Sequence, residues 1–420
     1  MEMILAAVLV LFTIAMFIWE KFPLSISGIF GMLLLVVTGI LSFNDAFSSI
    51  ASSTVGICFG MMIVCSGMFQ SGLVDVIGRA AVKLARGSEK ALLWILIWLC
   101  FILAAFLSNT TVVVLGFTLA AGVVKASPKM KLRNIAMPMA FATCFGGQCT
   151  LIGTTSNLVG SGILETYTGT GFGMWTMAPV GLIVGVIVCT AMCIVTPRLG
   201  NRIWGNRPEC AFVVKETPPA TNKFKLWTMS IIMIALIAVW VFEIVDVATG
   251  ALFAACLVII LGIVDIKTAY KDVDWNICIW LGIILALPKA ITNSGLSDWL
   301  ATNVLSIVDF SASPWLSYAF IITFTWVLTH LISNSTCVGI VLPIALEMCT
   351  ASGVSPMPYA IGITIISALA IATPLGAGFV AYVSIAGYSF KDFVRFGWPW
   401  AVLSLILVIV VTPLIFPFFV

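Results

Sequence analysis

The sequence predicts an all-α polytopic membrane protein, an inverted repeat of five transmembrane helices plus one re-entrant hairpin per half. Three observations carry that prediction. Hydrophobic residues make up 61% of the 420 residues and charged residues only 9%, against about 25% charged in an average soluble domain. Mean hydropathy is +1.18, so nearly all of the chain belongs in a bilayer. The polar run Leu107-Ser108-Asn109-Thr110-Thr111 interrupts apolar sequence and returns about 225 residues later as Ile332-Ser333-Asn334-Ser335-Thr336, a spacing that indicates a duplicated half rather than a solenoid unit. Finally, Lys and Arg are concentrated in alternate connections, and basic connections stay on the cytoplasmic side.

The first half spans residues 1–197. Met3–Ile18 and Pro23–Leu41 read as spans joined by Glu20-Lys21, and Met1-Glu2-Met3 lacks the positive start of a cleavable signal, so the first helix is expected to be retained. The connection Ser42–Ser52 has no Lys or Arg, and a third span covers about Val55–Leu73. A basic stretch with Arg79, Lys83, Arg86 and Lys90 follows. Its apolar residues Val76, Ile77, Ala80 and Ala81 recur at helical spacing, which predicts a helix on the membrane surface. Residues 91–124 are apolar around Ser108–Thr111 and basic on both flanks, with Lys125, Lys129, Lys131 and Arg133 on the far side. Both flanks are then cytoplasmic, and one span cannot satisfy that. The second arm, Val112–Val124, is also shorter than the about 20 residues a span requires. The segment therefore predicts a re-entrant hairpin with the polar run at its tip. Residues 134–164 predict a helix broken at Gly153-Thr154-Thr155-Ser156-Asn157, whose freed backbone groups could coordinate ions. Met177–Val195 closes the half.

Residues 198–225, with Arg198, Arg202, Arg207, Lys215, Lys223 and Lys225, predict a cytoplasmic linker. The second half, residues 226–420, repeats the plan. Leu226–Phe242, Ala248–Val264 and Trp275–Ile291 read as spans, with the cytoplasmic connection Asp265–Asp274 before the third. Residues 314–349 form the second hairpin, flanked by segments without Lys or Arg and so entering from outside. Residues 359–388 form a span broken near Ala372-Thr373-Pro374-Leu375-Gly376, and Ala401–Phe418 is the last span. Ten spans and two hairpins put both termini outside and every Lys and Arg except Lys289 on the cytoplasmic side. Five spans per half is an odd number, so the halves must be inverted, with a site between them near the midplane.

These residues resemble the divalent anion/sodium symporter family of the ion transporter superfamily. The likeness covers nearly the whole chain and is carried by Ser108-Asn109-Thr110, Ser333-Asn334-Ser335, Ile152-Gly153-Thr154-Thr155-Ser156-Asn157 and Ala372-Thr373-Pro374. It implies two sodium sites. Asn109 with the backbone of Ser108 and Gly153 would hold one; Asn334 with Thr329 and the backbone of Ser333 and Ala372 would hold the other. It implies an anion between them, touched by Asn109, Thr110, Thr154, Asn334, Ser335, Thr373 and Pro374. Ala104 stands where many relatives carry a hydroxyl, and Ser335 where they carry Thr. The physics agrees with such a site without a fixed cation. Helix N-termini favour negative charge, amide and hydroxyl oxygens coordinate Na⁺ while N–H and O–H groups donate to the anion, and the bound cation supplies positive charge.

The expectation is therefore a sodium-coupled symporter of a small divalent anion working by alternating access, a four-carbon dicarboxylate ahead of sulfate. The alternatives are an arsenite-type oxyanion efflux permease and an anion channel. The expected setting is the plasma (inner) membrane, as a homodimer in the lipid bilayer, with no cofactor beyond Na⁺ as coupling ion and no nucleic acid partner. No Ser-His-Asp set, phosphate loop or metal cluster is present in the sequence, which argues against an enzyme. The cysteines fall singly in apolar runs without CxxC spacing and read as small buried hydrophobes. His330 beside the second tip reads as a packing residue ahead of a proton relay. Lys289 and Glu347 read as snorkelling ends as readily as functional charges. Gly60, Gly67 and Gly72 read as close helix packing.

Overall fold

A computed structural model describes the chain except residues 1, 20, 74–75, 77–79, 81–82, 85–87, 127–130, 205–221, 243, 296–312, 374–379, 381–382, 384–385 and 420. All regular structure among the described residues is helical. The first half runs α1 (Glu2–Trp19), α2 (Leu24–Val37), α3 (Phe43–Phe47), a 3₁₀ turn (Ser48–Ala51), α4 (Ser53–Gln70), α5 (Glu89–Ala104), α6 (Asn109–Ala126), α7 (Arg133–Gly147), α8 (Thr155–Thr168) and α9 (Ala178–Trp204). The second half runs α10 (Lys223–Val241), α11 (Val247–Ile260), α12 (Ile266–Asp272), α13 (Trp275–Ile284), α14 (Leu287–Asn293), α15 (Pro314–Thr329), α16 (Asn334–Ser352), α17 (Pro356–Ser367) and α18 (Phe390–Ile415). Among the described residues, five helical stretches are long and apolar enough to cross a membrane: Phe43–Gln70, Ala178–Trp204, Lys223–Val241, Asn334–Ser352 and Phe390–Ile415. The chain is a multi-pass membrane protein.

The helices sort into two groups by contact. In one, α1, α2, α4, α10, α11, α12 and α13 pack together; in the other, α5 to α9 pack with α15 to α18. Contact between the groups runs mainly through α4 on α8. Each group thus takes helices from both halves. Glycines set the closest approach inside the first group. A Cβ on Gly60 of α4 would lie 2.9 Å from the Ala251 backbone of α11, and one on Gly67 would lie 2.8 Å from Val258, as expected where small residues let membrane helices meet.

The structure corrects several expectations. The expected loop Ser42–Ser52 is a short helix and a 3₁₀ turn, because the Ser42 hydroxyl accepts the Asp45 N–H and caps α3. The second hairpin arm is longer than the expected Val112–Val124. The polar residues Asn109–Thr111 are its first turn and it runs to Ala126. The expected span Met177–Val195 is longer: α9 carries Pro197 inside the helix and continues to Trp204. Trp275–Ile291 is not one helix: it stops at Ile284 and resumes at Leu287, next to Pro288, which lacks an N–H to continue the ladder. The last helix begins at Phe390 rather than Ala401. Ser389 and Asp392 cap each other there, so Lys391, Asp392 and Arg395 ride on a helix. Most of the expected surface helix after α4, Ile77, Arg79, Ala81 and Arg86 included, lies outside the described residues.

Candidate functional site

The first polar run is the tip of the α5/α6 hairpin. Helix α5 ends at Ala104, the chain turns through Ala105–Ser108, and α6 starts at Asn109. The Ser108 hydroxyl donates to Thr111 Oγ1 at 2.7 Å, closing the first turn. Ser108 and Thr110 are exposed, whereas Asn109 is 6% exposed and its Oδ1 has no hydrogen-bond partner. A buried amide oxygen without a donor costs about 1–3 kcal/mol, so an oxygen left this way is a candidate ligand for a cation.

The break between α7 and α8 supplies what surrounds it. The carbonyls at the end of α7 have no helical partner, and Asn157 of α8 answers them. Its amide donates to Gly147 O at 2.8 Å and to Thr150 O at 2.7 Å. The Thr150 hydroxyl donates to the Ala105 carbonyl and ties the break to the hairpin tip. Two glycines make the approach possible. A Cβ on Gly147 would lie 2.8 Å from Asn109 Oδ1 and 3.3 Å from the Gly153 carbonyl oxygen, and one on Gly153 would lie 2.8 Å from the Ala104 carbonyl oxygen. Asn109 Oδ1 and the Gly153 carbonyl thus close on Gly147, and the Ala104 and Gly147 carbonyls on Gly153, neutral oxygens of the kind that suit a hard monovalent cation.

A cavity of about 460 Å³ opens beside this cradle. Ser108 to Thr111 form one wall, and Gly153, Thr154 and Thr155 another. The N-termini of α6 and α8 thus both meet the cavity, and their free N–H groups favour an anion there. Among the described residues no Lys or Arg lines it. The opposite wall is a face of α4 carrying Cys58, Met61, Met62 and Cys65, and Asp272 and Asp274 also line it.

The second tip is built alike. The Ser333 hydroxyl caps α16, accepting from the Thr336 N–H and pairing with Thr336 Oγ1 at 2.7 Å. Asn334 is 8% exposed, and its Oδ1 lies 3.2 Å from the Thr329 hydroxyl, which donates to the Ser367 carbonyl at the end of α17. Ser335 donates to Thr155 Oγ1 at 3.0 Å, across the two halves. The second tip therefore abuts the cavity through Ser335 rather than lining it. Ala372 is buried, and its N–H points to His330 Nε2 at 3.4 Å; the Thr373 hydroxyl donates to the His330 carbonyl at 2.8 Å. Pro374 lies outside the described residues.

His330 has both ring nitrogens engaged. Nδ1 is 2.6 Å from the Trp326 carbonyl and Nε2 faces the Ala372 N–H, an arrangement that a neutral imidazole protonated on Nδ1 satisfies. Lys289 pairs with Asp45 at 3.6 Å, and both are well exposed. Among the described residues no cluster of His, Cys, Asp or Glu is placed to hold a metal, and the described cysteines are free and mostly buried.

Sequence reasoning missed Gly147 and, behind the second tip, Ser367, and it singled out Ala104 for the hydroxyl it lacks rather than for its backbone oxygen. The Gly146-Gly147 pair just before the break was the available signal. It also missed the α4 wall and the two aspartates.

Similarity to known proteins agrees with this picture. The chain matches the Citrate transporter (CitMHS) family over residues 14–304 and again over 237–420. It is 26% identical over 206 residues to an uncharacterized transporter of Synechocystis sp., covering 48% of this chain and 34% of that protein, so the chain spans about a third of that relative's length. It is 22% identical over 452 residues to the sodium-dependent dicarboxylate transporter SdcS of Staphylococcus saprophyticus, covering 97% of this chain and 86% of that protein. Among solved structures, the YdaH transporter of Alcanivorax borkumensis superimposes with a TM-score of 0.66 at 13% identity, over 91% of this chain and 87% of the other, which establishes a shared fold. With its apolar helices, paired polar tips and broken helices, the chain is a transporter rather than an enzyme, and it belongs to the citrate transporter (CitMHS) family.

Proposed function

We propose that the protein is a sodium-coupled symporter of a small divalent anion, a four-carbon dicarboxylate ahead of sulfate, working by alternating access. The observation that carries the reading is the buried, unpartnered Asn109 Oδ1 set among the carbonyls of Ala104, Gly147 and Gly153. It lies beside a cavity which two helix N-termini meet and which, among the described residues, no Lys or Arg lines. A cation in the cradle and an anion in the cavity compensate each other's charge, so each raises the affinity for the other. That mutual dependence is what couples a symporter. Asn334, Thr329 and the Ser333 and Ala372 backbone are the corresponding second sodium site, and Thr110 and Thr154 face the anion, with Ser335 reaching the cavity wall through Thr155. The similarity to a sodium-dependent dicarboxylate transporter along nearly the whole chain supports the same substrate class.

In this reading the halves are inverted repeats with one re-entrant hairpin each, and both termini are extracytoplasmic. The group of helices carrying both tips moves against the other group. Segments expected at the cytoplasmic face, the first tip with Asp272 and Asp274, line one cavity. Segments expected outside, Glu165 with Gly171 to Trp175 and Asp246, line another of about 490 Å³. The test is uptake of radiolabelled succinate and sulfate into proteoliposomes with and without an inward sodium gradient. Sodium-driven, saturable uptake of one of them is expected. Uptake driven by a pH gradient and indifferent to sodium would overturn the reading, as would passive uptake without saturation.

A further inference from the structure

The cavity at the first tip carries charge that the symport chemistry does not use. Asp272, the last residue of α12, and Asp274, the cap of α13, both line it and both are exposed, so they stand where the cavity meets water. Each is held in place. The Ser66 hydroxyl of α4 donates to Asp272, and Gln70 donates to Ser66 at 3.3 Å; Asp274 Oδ1 accepts the Ile277 N–H at 3.1 Å. The nearby cations Lys267 and Lys271 are exposed and lie outside the lining. At the deep end of the same cavity sits Asn109, 6% exposed, with its Oδ1 unpartnered. Two anionic groups at the mouth of an anion's cavity are a net cost to that anion and a gain to a cation bound for the Asn109 oxygen.

We propose that Asp272 and Asp274 form a charge filter at this mouth, drawing sodium in and repelling the divalent anion, so that the cytoplasmic face binds the anion more weakly than the outer face does. The filter rests on the symport reading and on the cytoplasmic placement of the α12 connection. It slows rebinding of an anion released inward. A cavity of this volume is about 10 Å across. Two carboxylates acting on a dianion over that distance in water weaken its binding about sixfold at about 20 mM ionic strength and about twofold at about 150 mM.

The experiment compares right-side-out and inside-out membrane vesicles from cells expressing the full chain, with radiolabelled succinate as probe and sulfate as a second probe. Sodium is held constant and ionic strength is varied with choline chloride. Asp272→Asn with Asp274→Asn keeps the hydrogen bonds to Ser66 and the cap on α13, since Asn caps as well as Asp. In the double variant the half-saturating anion concentration should fall about sixfold in inside-out vesicles at low ionic strength and stay unchanged in right-side-out vesicles. In the wild type, added salt alone should lower it from the cytoplasmic face only. A transporting double variant with an unchanged cytoplasmic constant overturns the filter. If the double variant fails to insert, the wild-type salt series decides, and a flat series overturns it. Absence of sodium-driven transport of both probes in the wild type is a different failure, that of the symport reading, and takes the filter with it.

Discussion

Gly147→Ala adds one methyl group at the point where the cation cradle is tightest. The new Cβ would lie 2.8 Å from Asn109 Oδ1 and 3.2 Å from Nδ2. Ordinary contact begins near 3.4 Å, so the amide must retreat by about 0.6 Å. Metal-ligand distances tolerate about 0.2 Å, so a shift of this size removes Asn109 from the set. Losing one interaction with a charged group costs about 1.5–3 kcal/mol, which corresponds to about a tenfold to hundredfold rise in the half-saturating sodium concentration. The assay is sodium-dependent uptake in proteoliposomes at matched protein abundance, with sodium titrated at fixed anion. Gly56→Ala is the control. Its Cβ would meet nothing closer than Leu252 Cδ1 at 3.4 Å, and its sodium dependence should not move. A Gly147→Ala protein that inserts and transports with wild-type sodium dependence would refute the assignment of Asn109 Oδ1 to a cation.

Further expectations follow from the same structure. Asn109→Asp and Asn334→Asp lose an N–H₂ donor and put a negative charge beside the anion; at about 4 Å and an effective dielectric of about 20 the repulsion is about 4 kcal/mol, so uptake should vanish in both, and near-normal uptake in either contradicts its place in the site. Asn157→Ala leaves the Gly147 carbonyl without this buried donor and the Thr150 carbonyl with only the Gly153 N–H at 3.5 Å, at about 1–3 kcal/mol for the lost pairing, and should lower the midpoint of thermal unfolding in detergent; an unmoved midpoint counts against the role of this amide. Gly60→Ala forces α4 away from the Ala251 backbone, an overpacking of about 1–3 kcal/mol that the same thermal assay reads as a lower midpoint. Thr329→Ala removes the hydroxyl between Asn334 and Ser367 and should raise the half-saturating sodium concentration, an effect missing if Thr329 only packs.

Much of this arrangement is legible in the residues and some of it is not. Hydroxyls and amides stand out against apolar sequence, so both tips are legible in it; the break expected at Gly153-Thr154-Thr155-Ser156-Asn157 comes earlier, because α7 ends at Gly147 and Thr155, Ser156 and Asn157 are the first turn of α8. The cradle's other oxygens belong to the backbone of Ala104 and Gly147, and a carbonyl has no letter of its own. Apolar runs also hide breaks: nothing polar marks the stop at Ile284, and only Pro288 hints at it. Charge misleads in the opposite direction. Lys391, Asp392 and Arg395 look like a loop, yet the Ser389–Asp392 cap starts a helix there. Asp272 and Asp274 read only as part of a cytoplasmic connection; they are exposed, and they also line a cavity that no sequence pattern announces.

The interleaving of the two helix groups bears on how the chain is made. The Gly60 face of α4 finds its partner only when Ala251 of α11 has been synthesised, about 190 residues later. At about 5–20 residues per second that is a wait of roughly 10–40 s. During that interval the Gly60 face of α4 lacks its partner, and the α5–α9 segment lacks α15 to α18. Each helix group is completed only by the second half, so its assembly follows insertion of the first. A chain stopped after α9 would present unmatched faces to the membrane's quality control. Two half-chains made together could still find each other, since the contacts that define each group need no peptide bond between α9 and α10.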